Sequence, residues 1–543
     1  MQNPSRPDLQ RIVDALRVAE AQQDIQKQID LYEQLVKKLP NLAIGQAQLG
    51  VLYWDRGDES RAAEHFEKAL ELPQDDKVDS MLFGRMAKSR RYTTNHERAL
   101  AWYGASPNFW RLRLYFEVLN QAERFTEAET LLTGLLQHEI PKDAQLLVLH
   151  MLAQVYLYTG RIHESIACCQ TGLEIDSSCE PLIFNLAVAQ EMAGRYQEAF
   201  KGYARVLELD PRNDETHNNL SHLMLRLGEF ESGWRHYEWR WARILKDQHV
   251  DFPLPQWQGE SLSGRSLLVW REQGIGDQIM FSSMLPSLLR LGGTLKYEVE
   301  SRLHPLFRRS FPQVEFIQRT QVNVQENGQE AKKFAWPATD YQIAMGSLGL
   351  LLRPSLEHFP SQRSFLQADS ERSQQLRREY TQMFPNKRLV GISWRGGTSI
   401  GNQKQNRRIT MTELAMLQTL PDTQLINLQY GDTRAERKEA EALGLHIHDD
   451  NRIDPLIDLD AQAAQIAALD AVISVDNTTV HLAGALGVPT YALLQLNPNW
   501  RWGLAEGPSY WYSHVQLFRS RATDIWSEVL QRVVAKLQAD TAT

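Results

Sequence analysis

Cysteine is scarce in this chain: only Cys168, Cys169 and Cys179 occur among 543 residues. Three thiols cannot build a disulfide framework, and these lack the paired spacing and histidine neighbours of a zinc site, so they read as reduced core thiols. Long apolar runs are also missing. The opening segment is interrupted by Arg6, Asp8, Arg11 and Asp14, which predicts neither a signal peptide nor a membrane span and suggests a cytoplasmic protein. No Lys/Arg block is dense enough to drive counterion release, and a net charge of −8 argues against a general nucleic-acid binder. The length exceeds what one hydrophobic core organises, so the chain is expected to be modular.

What the chain does have is an internal period. A shift of about 34 residues aligns Leu152, Leu186 and Leu220, then Gly160, Gly194 and Gly228, then Ile162, Tyr196 and Phe230. Ser165, Ala199 and Gly233 share a register, as do Cys169, Tyr203 and Tyr237. Small residues at one position let two helices cross closely, and large ones fill the space to the next unit. An earlier unit carries Leu49, Gly50, Tyr53, Gly57, Ala62, Phe66 and Ala69. This pattern resembles the tetratricopeptide repeat (TPR) family and implies a helical solenoid over 1–245 with six or seven helical pairs. The span 75–140, with Trp102, Trp110 and Phe125 irregularly spaced, is expected to be distorted. Asn185 and Asn219, one period apart, are candidates to hold an extended peptide through their amides. The aromatic run Trp234, Tyr237, Trp239 and Trp241 reads as packing between the solenoid and the region downstream of it.

Residues 246–264 hold two prolines, break the helical period and read as a connector. Beyond them, short apolar runs alternate with amphipathic stretches. The predicted strands are Ser266–Trp270, Thr294–Glu300, Val314–Gln318, Leu389–Ser393, Gln424–Gln429, Ala471–Val475 and Thr490–Leu494. Alternation of this kind predicts parallel sheets covered on both faces, divided near Pro385–Arg388 into halves 246–385 and 386–543. The closing segment Ile525–Leu537 reads as a helix able to lie back across the first half.

Two strand-to-helix loops carry the candidate chemistry. In the first, Ser266–Trp270 leads through Gly274 and Gly276 to Asp277, with a helix expected from about Gln278; the glycines permit a tight turn and close approach, and the carboxylate faces the opening. In the second, the strand Ala471–Val475 ends at Asp476, Asn477, Thr478 and Thr479, which cap a helix bearing His481. Free amides at such a helix start favour an anion, phosphate above all. Two such loops on two similar halves imply a cleft between them.

With both loops located, the region from about Phe252 to Leu537 resembles the bacterial lipopolysaccharide heptosyltransferases, and the whole chain resembles fusions of tetratricopeptide repeats to such a domain. The segments that carry the resemblance are 233–241, 255–259, 272–277, 390–395, 473–476, 481–487, 499–502 and 517–519, in order along the chain. Asn477 stands where the family usually places threonine, and 458–464 lacks an aspartate and a threonine typical of it.

The resemblance implies an α + α/β chain, a solenoid followed by a GT-B double-Rossmann glycosyltransferase. That enzyme would be inverting and metal-independent, with a nucleotide sugar as donor substrate, no cofactor, and a hydroxyl acceptor, expected to lie on a protein held by the solenoid. Asp277 matches the family's proposed general base. Gly274, Gly276, Asp476, Asn477, Thr478, Thr479 and His481 would line the donor site. Arg395 and Lys404, in the basic loop that also holds Arg407 and Arg408, would neutralise the diphosphate, and Gln429 is a further candidate for the nucleotide. A metal at His446, His448, Asp449 and Asp450, or at Asp458 and Asp460, is a lesser reading. The alternatives are a non-catalytic scaffold with a degenerate nucleotide site and, last, a dinucleotide oxidoreductase, for which the third fingerprint glycine is missing.

Overall fold

The computed structural model describes residues 6–21, 24–56, 58–70, 72, 109–242, 252, 254–326, 329–359, 364–396, 408–521 and 526–542. They form two compact units, Met1–Leu182 and Ile183–Thr543. Trp102, Lys404 and Arg407 lie outside the described residues.

The first unit is wholly helical where it is described. Helices Arg6–Ala21 and Ile25–Lys38, Ala43–Asp55 and Glu59–Leu70, Phe109–Gln121 and Phe125–Leu136, and Lys142–Tyr158 and Ile162–Ile175 succeed one another as antiparallel pairs. In the second pair Leu49, Tyr53, Ala62, Phe66 and Ala69 share one core. A side chain on Gly50 would place its Cβ 2.4 Å from the Phe66 ring, so the small residue sets how closely the two helices cross. Cys169 is buried and Cys168 half-buried, and loss of solvent pushes their thiol pKa values up to about 12 and about 11.

The second unit opens with two more pairs, Glu180–Met192 with Tyr196–Leu209 and Asp214–Leu227 with Phe230–Tyr237. The second helices of the last three pairs start at Ile162, Tyr196 and Phe230, one period apart. Each is preceded by a left-handed glycine, Gly160, Gly194 or Gly228, which ends the helix before it.

Two parallel sheets come next. The first has the order β3-β2-β1-β6, from Ser266–Trp270 (β1), Thr294–Glu298 (β2), Glu315–Ile317 (β3) and Tyr341–Ala344 (β6). A separate hairpin of Thr320–Glu326 (β4) and Gln329–Ala335 (β5) lies between β3 and β6 in the chain. The second sheet has the order β12-β13-β11-β10-β7-β8-β9, from Arg388–Ser393 (β7), Thr423–Asn427 (β8), Ile447–His448 (β9), Ala471–Val475 (β10), Thr490–Leu494 (β11), Gly507–Pro508 (β12) and Val515–Arg519 (β13). Only β12 among these runs antiparallel to its neighbour. One core spans both halves: Leu267, Ile279 and Phe281 of the first share it with Val480, Leu482 and Trp500 of the second.

The closing helix, Trp526–Ala542, corrects the expectation made for it. Its stripe of Trp526, Val529, Leu530, Val533 and Leu537 packs on Val390, Ile392, Tyr491 and Leu493, which belong to the second sheet. Arg388 also donates to the carbonyl of Leu537 at 3.1 Å. An apolar stripe fits any covered sheet face, so its pattern alone did not specify which.

The end of the helical region is bolted to the first α/β half, through the loop after β1 and the short helices after β6. Trp234 is buried, and a Cβ on Gly349 would lie 2.6 Å from its ring. Arg240 is 1% exposed and donates to both carboxylate oxygens of buried Glu272, at 2.7 and 2.9 Å, and to Ser347 at 2.8 Å. Its guanidinium also lies over the Tyr237 and Trp241 rings.

Candidate active site

The first loop folds differently in detail from its sequence expectation. The helix spans Ile275–Phe281, so Asp277 sits within its first turn and not ahead of it. The left-handed turn falls on Gln273, at φ 60°, while Gly274 is extended at φ −84°. Glu272 holds this turn in place: one of its oxygens accepts from the amide of Gly346 at 2.6 Å while the carboxylate pairs with Arg240. The Asp277 carboxylate accepts from the amide of Gly274 at 3.3 Å, as a capping group would.

The second loop starts the nine-residue helix Thr478–Leu486. Asn477 is its cap, accepting from the amide of Thr479 at 2.9 Å and from the hydroxyl of Ser474 at 3.0 Å. Its amide nitrogen donates to Ser393 Oγ at 2.7 Å and to the carbonyl of Arg395 at 3.0 Å. Asparagine therefore serves as the cap and also ties the loop to the end of β7. Thr478 is half-exposed, whereas Thr479 is buried with no partner for its hydroxyl.

These two loops meet. A Cβ on Gly276 would come 3.0 Å from His481 Cδ2, so this glycine makes room for the facing half. His481 is 3% exposed; its Nδ1 pairs with the Tyr512 hydroxyl at 2.8 Å, its ring stacks on Trp502, and its Nε2 lies 4.0 Å from Asp476. Between the loops stands Arg501, whose Nη2 is ion-paired with Asp277. Burial works against the charge of Arg501, but Asp277 and Asp476 outweigh it, and the guanidinium pKa lies above its ordinary value. Arg501 has no role assigned from the sequence, although the segment 499–502 that holds it between Trp500 and Trp502 is one of those that carry the resemblance.

The remaining candidates stand around this centre. Arg395 is ion-paired with Glu436 at 3.2 Å and donates to the carbonyl of Asp432, and Arg408 shares the same carboxylate. Gln429 is 4% exposed, and its Oε1 accepts from Ser393 Oγ and from the amides of Trp394 and Arg395. It straps the loop after β7 to β8. Asn185 is buried, and Asn219 hydrogen-bonds to Tyr203, whose hydroxyl donates to Glu191 at 2.8 Å. Among the described residues no cluster of three His, Cys, Asp or Glu is spaced to hold a metal ion. Asp449, Asp450 and Asp460 are paired with Arg437, Arg452 and Arg309, and Asp458 caps the helix Leu459–Ala467. No helix among the described residues is long and apolar enough to cross a membrane.

Residues 45–76 and 147–179 match the profile of the tetratricopeptide repeat. Protein FlbA of Caulobacter vibrioides is 35% identical over 325 residues, covering 58% of this chain and 54% of FlbA. The chain thus spans about half the length of the curated relative it matches. Among solved structures it is similar to the family 9 glycosyl transferase of Veillonella parvula, at 14% identity and a TM-score of 0.33, covering 48% of this chain and 88% of that one. It is similar also to the ADP-heptose lipopolysaccharide heptosyltransferase II of E. coli, at 14% identity and a TM-score of 0.35, covering 50% and 98%.

Proposed function

We propose that the chain is a cytoplasmic glycosyltransferase that moves a sugar from a nucleotide-sugar donor to a hydroxyl of a protein presented by its tetratricopeptide repeats. The observation that carries this reading is the meeting of Gly276 and Asp277 with His481 and the start of the helix Thr478–Leu486. A carboxylate stands opposite a helix N-terminus whose amides suit a diphosphate.

In this reading the acceptor hydroxyl gives its proton to Asp277 as its oxygen attacks the anomeric carbon. The bond to the donor's diphosphate breaks on the opposite face, so the anomeric centre inverts in one displacement. Negative charge growing on the leaving oxygen is met by the amides of Thr478 and Val480, by the unpartnered hydroxyl of Thr479 and by Arg501, with Arg395 at the edge. These cations and amides do the work that a metal ion does elsewhere. Asp476 orients His481 and Arg501, since a carboxylate against phosphate would be repelled.

The test is a panel of UDP-, GDP-, ADP- and CMP-linked sugars with the full chain, following binding by calorimetry and nucleotide release by chromatography. One donor class is expected to bind with an affinity between about 1 μM and 1 mM and to release its nucleotide when the acceptor protein is added. Binding without release under any acceptor would favour the scaffold reading. Absence of binding by every member would remove the proposal.

A further inference from the structure

Arg501 is only 8% exposed, yet its charge is not fully satisfied: its Nε is buried without a partner, while one Nη reaches Asp277. A guanidinium cannot shed its proton, so a buried one must always face an anion. Of the two carboxylates that act on it, Asp476 and Asp277, the one it is ion-paired with is the carboxylate that must accept a proton during transfer. A carboxylate engaged with arginine is a poor acceptor for an incoming hydroxyl, and the observed pairing therefore describes a resting arrangement.

We propose that Arg501 is a two-position latch, closed on Asp277 in the unliganded protein and handed over to the donor's diphosphate when nucleotide enters. This rests on the glycosyltransferase reading and adds an order of events: donor first, then a freed base. The hand-over is favourable because a diphosphate carries more negative charge than one carboxylate and offers several oxygens to the planar fork. The buried Thr479 hydroxyl, also without a partner, stands in the first turn of the helix Thr478–Leu486 and would accept from or donate to the same phosphate.

The movement belongs to the side chain, because the backbone on either side is fixed. Asn497 donates to the carbonyl of Met192 and accepts from the Tyr196 hydroxyl at 2.8 Å. The carbonyl of Gly503 accepts from Arg519 at 2.8 Å, and Trp500 packs edge-on against Trp234. The anchors on Met192 and Tyr196 lie in the penultimate helical pair, so the last repeats hold the latch in register with Asp277.

The experiment measures the affinity of UDP, GDP, ADP and CMP, each separately, for the full-length wild type and for D277N, R501K and R501A. D277N keeps the shape of Asp277 but removes the anion that competes for Arg501. It is expected to bind the preferred nucleotide about 3- to 10-fold more tightly than wild type. R501A is expected to bind about 10- to 100-fold more weakly, with R501K in between. If R501A does not fold, D277N and R501K carry the test, with thermal melts confirming their native state. Wild-type binding with D277N no tighter and R501K no weaker would overturn the latch alone. Failure of the wild type to bind any of the four would overturn the glycosyltransferase reading and the latch with it.

Discussion

At the scale of single residues, Gly276 shows how small a change the contact between the two loops tolerates. Alanine in a helix gains about 0.5–1 kcal/mol over glycine, whereas overpacking a fixed neighbour costs about 1–3 kcal/mol. The neighbour here is the His481 ring, pinned by Tyr512 and Trp502, so the clash outweighs the helix gain. G276A is therefore expected to lower the melting temperature by a few degrees and nucleotide release by about tenfold. A variant melting above wild type would show that His481 yields freely. His222, stacked near Trp500, has its pKa lowered to about 3 by loss of solvent, with Arg226 and Arg501 adding repulsion. The unfolded chain, with a histidine pKa of about 6.5, takes up the proton first, so stability falls as pH drops from about 6.5 towards 3. H222Q should flatten that part of the melting-temperature profile, and an unchanged slope between pH 6.5 and 4 would rule His222 out as its source.

At the scale of elements, the loop after β10 depends on Asn477. N477A removes the cap and the tie to Ser393 and Arg395, which predicts a loss of about 1–2 kcal/mol in chemical denaturation and weaker nucleotide binding. N477T is expected to recover the cap but not the tie to β7, and equal stability of the two variants would contradict that division. The same elements show what was legible in the sequence. Strands β1, β10 and β11 match their expected bounds because each is a run of apolar residues with burial on both faces. The β4–β5 hairpin escaped notice because Thr-Gln-Val-Asn-Val-Gln-Glu and its partner are largely polar, and β9 and β12 are only two residues long. Both site loops could be located from strand, glycine and cap residues, but the left-handed turn fell on Gln273, a residue without that local preference. Arg501 was not legible as a site residue, because its meaning lies in a partner 224 positions away.

At the scale of the whole molecule, the compact unit that holds both loops begins within the helical region, at Ile183, and not at the connector 246–264. Arg240 explains why. Removing one partner of a buried ion pair costs about 3–5 kcal/mol, and a chain starting at residue 246 would leave Glu272 buried and unpaired while exposing the core surface covered by Trp234 and Tyr237. A fragment beginning at Ser177 is expected to be soluble with one cooperative melt, and a fragment beginning at Lys246 to aggregate. A well-folded 246–543 fragment would show that the last helices are dispensable to the sheets. R240A in the full chain should lower stability by about 3–5 kcal/mol, read from urea unfolding.

The most direct test of the crevice and its latch is a crystal structure of the protein with its preferred nucleoside diphosphate bound. The phosphates are expected over the amides of Thr478 and Val480, with Arg501 turned from Asp277 onto them and the Asp277 carboxylate open to the same crevice. Phosphates bound away from that helix start, or an Asp277 carboxylate directed out of the phosphate-bearing crevice, would contradict it.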